Sequence, residues 1–217
     1  MTLPQIATYP LPRPGDYPAP RVSWRADPLR SAVLIHDMQN HFIGAFEQPS
    51  PLLDEVIGNI DALVREARTQ GMPVVYSAQP PAQDPVDRGL LTDFWGIGLQ
   101  DGASAAIAAA LAPHPDDHVL TKWRYNAFIR TPLLDLLHAW GRDQLIVVGV
   151  YAHIGCLLTA ADAFMNDVQP FFVADAVADF SRDDHLLAVR YAANRCARVL
   201  STEALLADLT PSRQAVS

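Results

Sequence analysis

Three strand-like apolar runs in this chain end in segments whose residues could transfer a proton. The first run ends at Asp37, the second at Lys122, and the third in the loop 149–156, which contains Gly155 and Cys156. The carboxyl ends of parallel strands meet at one edge of a sheet, and loops at that edge hold reactive groups. We therefore expect Asp37, Lys122 and the 149–156 loop to converge in one site.

Composition limits the class of partner that the protein can have. The chain has 217 residues, half of them apolar, which is enough to bury the core of one sizeable domain. The net charge is −8, and no run of Lys and Arg is long enough to follow a phosphate backbone, so nucleic acid is not expected as a partner. No apolar run reaches about 18 residues and the N-terminus lacks the pattern of a signal peptide, so we expect a cytoplasmic protein without membrane contact.

The N-terminal segment differs in composition from the rest of the chain. Its first 28 residues contain seven prolines, which favour an extended path over a helix. Apolar residues such as Ile6, Tyr9 and Trp24 interrupt this segment. We therefore predict an arm over residues 1–30 that packs on its own domain or on a neighbouring subunit, and one regular domain over residues 31–210.

The pattern beyond the arm predicts strands that alternate with helices. Strands are expected at residues 32–36, 74–78, 118–121, 145–149, 171–174 and 198–201. Helices are expected at residues 53–67, 103–112, 131–140, 156–167 and 183–196. A long irregular segment covers residues 79–101, and loops of that length are usually functional. Six strands alternating with helices predict an α/β fold, a Rossmann-like three-layer α/β/α sandwich with a parallel sheet.

Six motifs resemble those of the isochorismatase family in the same order and with similar spacing. They are His36-Asp37-Met38-Gln39, Ser77-Ala78-Gln79-Pro80, Phe94-Trp95-Gly96, Lys122-Trp123-Arg124-Tyr125, the loop Gly149–Gly155 and the segment Val173–Ser181. The resemblance runs from about residue 4 to residue 206, nearly the whole chain. It implies an isochorismatase-like hydrolase that releases pyruvate from isochorismate or from 2-amino-2-deoxyisochorismate.

The resemblance also implies that glycine replaces a nucleophile at one position. In the wider family of cysteine hydrolases an Asp, a Lys and a Cys form the site, and the thiolate attacks an amide carbonyl. Here Gly155 stands at the position of that Cys, and Cys156 follows one residue later. Consecutive side chains at a strand-to-helix junction point in different directions, so we expect Cys156 to pack beneath the helix. An amidase that uses Cys156 and a non-catalytic scaffold are the alternative interpretations.

Cleavage of an enolpyruvyl ether needs a general acid and no nucleophilic side chain. A proton delivered to the terminal methylene carbon gives an oxocarbenium ion, water captures this ion, and collapse of the hemiketal releases pyruvate. We assign the acid to Asp37. A free aspartic acid is ionised at neutral pH and a neighbouring Lys122 ammonium favours that form, so burial and the carboxylates of the substrate must favour the protonated form. Lys122 is expected to hydrogen-bond the ether oxygen or a carboxylate, and Gly155 to leave room for the substrate.

Local cations must bind the anionic substrate because the protein is net acidic. Arg88 and Arg124 are the candidates, since the planar fork of arginine suits a carboxylate. The alternative for Arg88 is a solvated charge on the 79–101 segment. Phe42 is expected either in the cavity wall or in the core.

The resemblance places four side chains around the ligand, namely Gln79, Arg88, Trp95 and Tyr151. Gln79 and Trp95 also have ordinary alternatives as a loop cap and as core packing. The family carries a non-proline cis peptide before the position of Tyr151, and we expect one here. Such a geometry is tolerated mainly at functional sites.

No metal and no cofactor are expected. Metal-binding amidases of the family carry Asp-x-His after the second strand, whereas this chain has the segment 77–80 without that ligand set, and no glycine-rich nucleotide motif occurs. We expect His36 to be a core or supporting residue, and Cys196 to lie in the core without a disulfide.

The apolar arm and the resemblance predict a homodimer. The sequence given ends at Ser217 soon after its last expected element, so we expect a stand-alone domain without the C-terminal carrier domain of siderophore enzymes. This favours a phenazine-type or related pathway. Whether the substrate carries a hydroxyl group or an amine on the ring stays open.

Overall fold

A six-stranded parallel sheet forms the centre of the molecule. In the computed structural model, which describes residues 3–210, the strands are β1 (Ser31–His36), β2 (Val74–Ala78), β3 (His118–Thr121), β4 (Gln144–Val150), β5 (Gln169–Ala178) and β6 (Arg198–Leu200). Their order in the sheet is β3-β2-β1-β4-β5-β6, and every neighbouring pair is parallel. The direction of chain progression reverses between β1 and β4, which is where a crevice opens at the carboxyl edge of such a sheet.

Helices cover both faces of this sheet. They are α1 (Asn40–Ile43), α2 (Pro51–Thr69), α3 (Pro85–Arg88), α4 (Leu91–Trp95), α5 (Gly102–Ala105), α6 (Leu133–Ala139), α7 (Leu157–Met165), α8 (Arg182–Arg195) and α9 (Thr202–Leu209). A 3₁₀ turn at Ala109–Leu111 and a π-helical turn at Ala152–Cys156 complete the described elements. No helix within residues 3–210 is long and apolar enough to cross a lipid bilayer.

The side chains of β1 alternate between two hydrophobic cores, one on each face of the sheet. Val33 and Ile35 pack with α2 and α9, whereas Ala32 and Leu34 pack with α6, α7 and α8. Successive side chains of a strand point to opposite faces, and both faces are apolar because helices cover both. The predicted three-layer α/β/α sandwich is therefore confirmed.

One predicted helix is wrong. The alanine-rich segment 103–112 contains only the short α5, and residues 106–108 are extended before the 3₁₀ turn. The amide of Asn40 donates to the carbonyl of Ala106 at 2.8 Å, and the amide of Ala108 donates to the carbonyl of Met38 at 2.9 Å. These main-chain bonds to the loop after β1 replace the helical bonds, a tertiary effect that overrides the helix propensity of alanine.

Other elements differ from the prediction mainly in their ends. Strand β5 has 10 residues, and its pairing with β4 shifts register between Val147 and Gly149. The predicted helix 156–167 is preceded by the π-helical turn, so it is joined to β4 through a tight connection. The segment 79–101, predicted to be irregular, contains the short helices α3 and α4.

The N-terminal segment packs along the domain. Ile6 is buried and pairs with Phe46 in a parallel bridge. The hydroxyl of Tyr9 accepts a hydrogen bond from the amide of Asp179 at 2.7 Å and lies 3.1 Å from Nδ1 of His185. Nε2 of His185 faces the carbonyl of Ala174 at 2.9 Å and must carry the proton, so Nδ1 accepts from Tyr9.

Replacing Tyr9 by Phe is expected to destabilise the fold. The change removes a hydroxyl that satisfies a buried amide and a buried imidazole, and unsatisfied buried groups cost about 1–3 kcal/mol. Urea denaturation measures the loss. Tyr191→Phe is the control, because Tyr191 is half exposed on α8. Equal stability of the two variants would contradict the role given to Tyr9.

Candidate active site

A cavity of about 610 Å³ opens at the carboxyl edge of the sheet, beside the switch point between β1 and β4. Eight of the residues predicted for the site line it, namely Asp37, Phe42, Gln79, Arg88, Trp95, Lys122, Tyr151 and Gly155. Arg124 is not among the lining residues. The volume suits a small molecule.

Asp37 and Lys122 form a buried ion pair in the wall of this cavity. Nζ of Lys122 lies 2.6 Å from Oδ2 of Asp37, and the hydroxyl of Ser77 donates to Oδ1 at 2.8 Å. The exposed fractions of Asp37 and Lys122 are 5% and 1%. Both carboxylate oxygens thus have a donor, and the carboxyl group is held in one orientation.

The main chain at Asp37 is held in the left-handed region, with φ of +49°. That conformation is uncommon for a residue with a side chain and persists only where the surroundings enforce it, typically at functional sites. The amide of Asp37 donates to the carbonyl of Ser77 at 3.2 Å. Gln39, buried two residues later, donates from Nε2 to the carbonyls of Gln79 and Ala105 at 2.9 and 2.7 Å. These bonds fix the turn after β1 and aim Asp37 at the cavity.

The loop after β4 carries the expected cis peptide, between Val150 and Tyr151. The phenol of Tyr151 donates to the carbonyl of Phe42 at 2.8 Å. Burial raises the pKa of Tyr151, and the Asp179 carboxylate acts in the same direction, so the phenol stays protonated. The ring packs 4.3 Å from that of Phe180 and forms an apolar wall.

Gly155 does not leave its side-chain space to a substrate, contrary to the expectation from sequence. A Cβ atom at position 155 would lie 2.0 Å from Cε1 of His36. The imidazole of His36 fills that space, with Nδ1 2.9 Å from the carbonyl oxygen of Val150 and Nε2 3.0 Å from that of Tyr125. Burial lowers the pKa of His36, and the neighbouring Asp37 carboxylate opposes this shift.

Cys156 is packed behind the cavity wall. Its exposed fraction is zero, and it does not line the cavity. Burial raises the pKa of the Cys156 thiol, and the negative charge of Asp37 raises it further. A protonated and inaccessible thiol is a poor nucleophile. Cys196 is also a free buried thiol, and burial raises its pKa to about 11.

Arg88 brings a second positive charge to the cavity. The residue is 4% exposed, its Nε donates to the carbonyl of Gly96 at 2.6 Å, and Nη1 lies 3.4 Å from Oε1 of Gln83. Burial lowers its pKa, but a guanidinium stays charged at neutral pH. Its partners in the described part of the chain are neutral oxygens, so the charge is available to an anion.

Arg124 differs from its prediction as a substrate-binding residue. Its Nη1 donates to the carbonyls of Asp87 and Trp123 at 2.8 and 2.7 Å. A Cβ at Gly89 would lie 3.2 Å from Nη2 of Arg124, so the guanidinium sits against the end of α3. Arg124 braces the short helix that carries Arg88 and stays outside the cavity.

Sequence reasoning missed several residues that line the cavity, including Leu3, His41, Tyr125, Ile154 and Phe180. Tyr125 accepts a hydrogen bond from Nε1 of Trp95 at 2.6 Å. Tyr125 and Phe180 fall inside motifs that indicated the site, so their motifs carried the signal. Leu3 lies in the arm, where no pattern marked it. Within residues 3–210, no cluster of three or more His, Cys, Asp or Glu is arranged to hold a metal ion.

Comparison with known proteins identifies the family of this chain. The family model described as the isochorismatase domain matches residues 31–204. The isochorismatase of Bacillus subtilis (strain 168) is 52% identical over 96% of this chain and 67% of its own length. The phenazine biosynthesis protein PhzD of Pseudomonas fluorescens is 48% identical over 93% of this chain and 97% of its own length.

The solved structures with this fold include a cysteine hydrolase from Pseudomonas syringae pv. phaseolicola 1448A. It is 25% identical, with a TM-score of 0.78 over 88% of this chain and 96% of that chain. The chain belongs to the isochorismatase family, and the family predicted from its motifs is confirmed.

Cys156 is expected to resist alkylation in the folded protein. Its thiol is buried and its pKa is raised, whereas iodoacetamide reacts with accessible thiolates. Mass spectrometry at pH 7.5 should find no label on Cys156 in native protein. The control is the same protein in urea, in which both cysteines should be labelled. Rapid labelling of native Cys156 would contradict its burial.

Proposed function

We propose that the protein hydrolyses the enolpyruvyl ether of 2-amino-2-deoxyisochorismate or of isochorismate. The products are pyruvate and either trans-2,3-dihydro-3-hydroxyanthranilate or 2,3-dihydro-2,3-dihydroxybenzoate. The observation that carries this proposal is the buried Asp37 carboxyl in a cavity that the thiol of Cys156 does not line. A vinyl ether needs a proton donor for cleavage, and an amide in a cysteine hydrolase needs a nucleophile.

Asp37 acts as the general acid in this proposal. It protonates the terminal methylene carbon, water adds to the resulting oxocarbenium ion, and the hemiketal collapses to release pyruvate. As the proton leaves, the carboxyl group becomes a carboxylate, and the donors from Lys122 and Ser77 stabilise the charge that develops. The carboxylates of the bound substrate oppose ionisation of Asp37 before the reaction.

Arg88 binds a carboxylate of the substrate in this proposal. Its charge lies in the cavity wall and its described partners are neutral, so an anionic ligand would supply the missing counter-charge. Phe42, Gln79, Trp95 and Tyr151 surround the rest of the ligand. The similarity to an isochorismatase and to a phenazine biosynthesis protein supports both ring substituents, hydroxyl and amine.

Three further properties belong to the proposal. Residues 31–210 form the catalytic domain with residues 1–30 as its arm, supported by the family match over 31–204. The protein works in the cytoplasm, supported by two free buried cysteines. It forms a homodimer, supported by exposed apolar side chains such as Leu187 on α8 and Phe164 on α7, and sedimentation velocity measures this state.

Pyruvate release tests the activity. The purified protein is incubated with each of the two substrates without added metal or nucleotide, and the faster turnover identifies the ring substituent. Asp37→Asn keeps the size of the side chain but removes the acid, so kcat should fall by about 10²–10⁴-fold. An active Asp37→Asn variant would reject Asp37 as the acid, and a folded wild-type protein that releases pyruvate from neither substrate would reject the reaction.

Cys156→Ala separates this mechanism from the amidase alternative. The thiol has no part in the proposed reaction, so we expect kcat and KM for pyruvate release to stay within about twofold of wild type. The melting temperature is measured beside them, since the buried sulfur contributes to packing. Loss of all turnover in a folded Cys156→Ala variant would contradict the proposed mechanism and favour the cysteine mechanism.

Gly98→Ala tests the role of Arg88. A Cβ at position 98 would lie 2.4 Å from Nη1 of Arg88, so the guanidinium must move. A hydrogen bond to a charged group contributes about 1.5–3 kcal/mol, so kcat/KM should fall about 10- to 100-fold, mainly through KM. Gly141→Ala is the matched control, because Gly141 also has a left-handed φ, +64°, and open space around its Cβ position. Equal kinetics of the two variants would contradict the role of Arg88.

A further inference from the structure

The imidazole of His36 lies in the space that a side chain at position 155 would occupy. An added Cβ at position 155 would meet Cε1, Nε2 and Nδ1 of His36 at 2.0, 2.7 and 2.8 Å. Real Cβ atoms do not approach other atoms so closely, so either the ring or the main chain would have to move. The side-chain space of position 155 is therefore taken by the imidazole.

The main chain of His36 is also fixed by a glycine. A Cβ at Gly149 would lie 2.2 Å from the carbonyl oxygen of His36, and Gly149 has φ of +115°. His36 and Gly149 are partners in the register between β1 and β4. Two glycines thus allow His36 to sit in contact with β4 through its main chain and with the π-helical turn through its ring.

The ring of His36 contacts two segments that carry residues of the cavity, and it lies close to Asp37. Its two nitrogens face the carbonyl oxygens of Val150 and Tyr125, at 2.9 and 3.0 Å. Val150 precedes Tyr151, and Tyr125 binds Trp95, so both segments present side chains to the ligand. Nδ1 of His36 also lies 3.8 Å from Oδ1 of Asp37, the next residue.

We propose that His36 is a positioning residue for Asp37, and that it works only because position 155 is a glycine. The inference rests on the proposed function, since Asp37 is the acid of that reaction. The imidazole fills the space of a side chain at position 155 and holds the end of β1 against the two loops. A nucleophile at position 155 and a histidine at position 36 exclude each other sterically, and this chain has the histidine.

A double-mutant cycle between His36→Ala and Gly155→Ala tests the pairing. With His36 present, Gly155→Ala should lower kcat by about tenfold or more and lower the midpoint of urea denaturation, because the new methyl group displaces the ring. With His36→Ala, the same methyl group enters the vacated space, so its effect on kcat should be within about twofold and the midpoint should rise. Gly58→Ala is the control, because Gly58 lies in helix α2 with nothing within 4 Å of its Cβ position. Its effect should be equal in both backgrounds.

Kinetics of His36 variants separate positioning from a merely structural role. His36→Ala should lower kcat by about tenfold with KM within about threefold of wild type, since the acid is misplaced while Arg88 still binds the substrate. His36→Asn keeps a donor near the carbonyl of Val150 and should recover part of the lost kcat. An unchanged kcat per folded His36→Ala molecule, or no recovery by His36→Asn, would overturn the positioning role.

The outcomes distinguish the two proposals. Additive effects of His36→Ala and Gly155→Ala on the denaturation midpoint would overturn the pairing whatever the activity. A wild-type protein that releases no pyruvate would reject the proposed function, and the role of His36 in positioning the acid would be rejected with it. The pairing itself would then be decided by the denaturation midpoints.

Discussion

The ion pair between Asp37 and Lys122 is shielded from water, and most of the site is arranged around it. Removing a carboxylate and an ammonium from water costs several kcal/mol for each ion unless other donors and acceptors satisfy them. Here the sheet supplies these partners by register. Asp37 follows β1, Ser77 lies on the neighbouring β2 opposite His36, and Lys122 follows β3 next to Ala78. Three adjacent strands therefore place one carboxyl, one hydroxyl and one ammonium group in contact.

The parts of the site that follow from strand ends could be predicted from sequence. An apolar run followed by a polar residue indicates where a buried parallel strand stops, and Asp37 and Lys122 stand at such positions. Arg124 shows the limit of this reasoning, since a planar cation near the site fits a carboxylate and a main-chain carbonyl equally well. Its contacts with Asp87 and Trp123 depend on the path of the 79–101 segment, which no periodicity specifies. The extended path of the alanine-rich segment does not follow from its own sequence, because its hydrogen-bond partners, Met38 and Asn40, are distant in the chain.

Gly155 is a second residue whose surroundings the sequence does not predict. A glycine in place of a larger residue indicates a need for space, but the sequence does not say which atoms need it. The structure gives the space to His36, a residue more than a hundred positions earlier in the chain. The fold is shared with a cysteine hydrolase of known structure, and in this chain an imidazole takes the side-chain space of position 155.

In the proposed mechanism, substrate recognition and proton transfer belong to different parts of the chain. Arg88 and Trp95 lie on the short helices between β2 and β3, whose turns depend on glycines with left-handed main chains, and Asp37 belongs to the buried sheet. Substitutions in the surface segment can change the shape and charge that meet a ligand without disturbing the strands that hold the acid. The surface segment and the strands can therefore be changed separately. Directed evolution toward other enol ethers would begin with libraries in residues 83–99 and leave the strands unchanged.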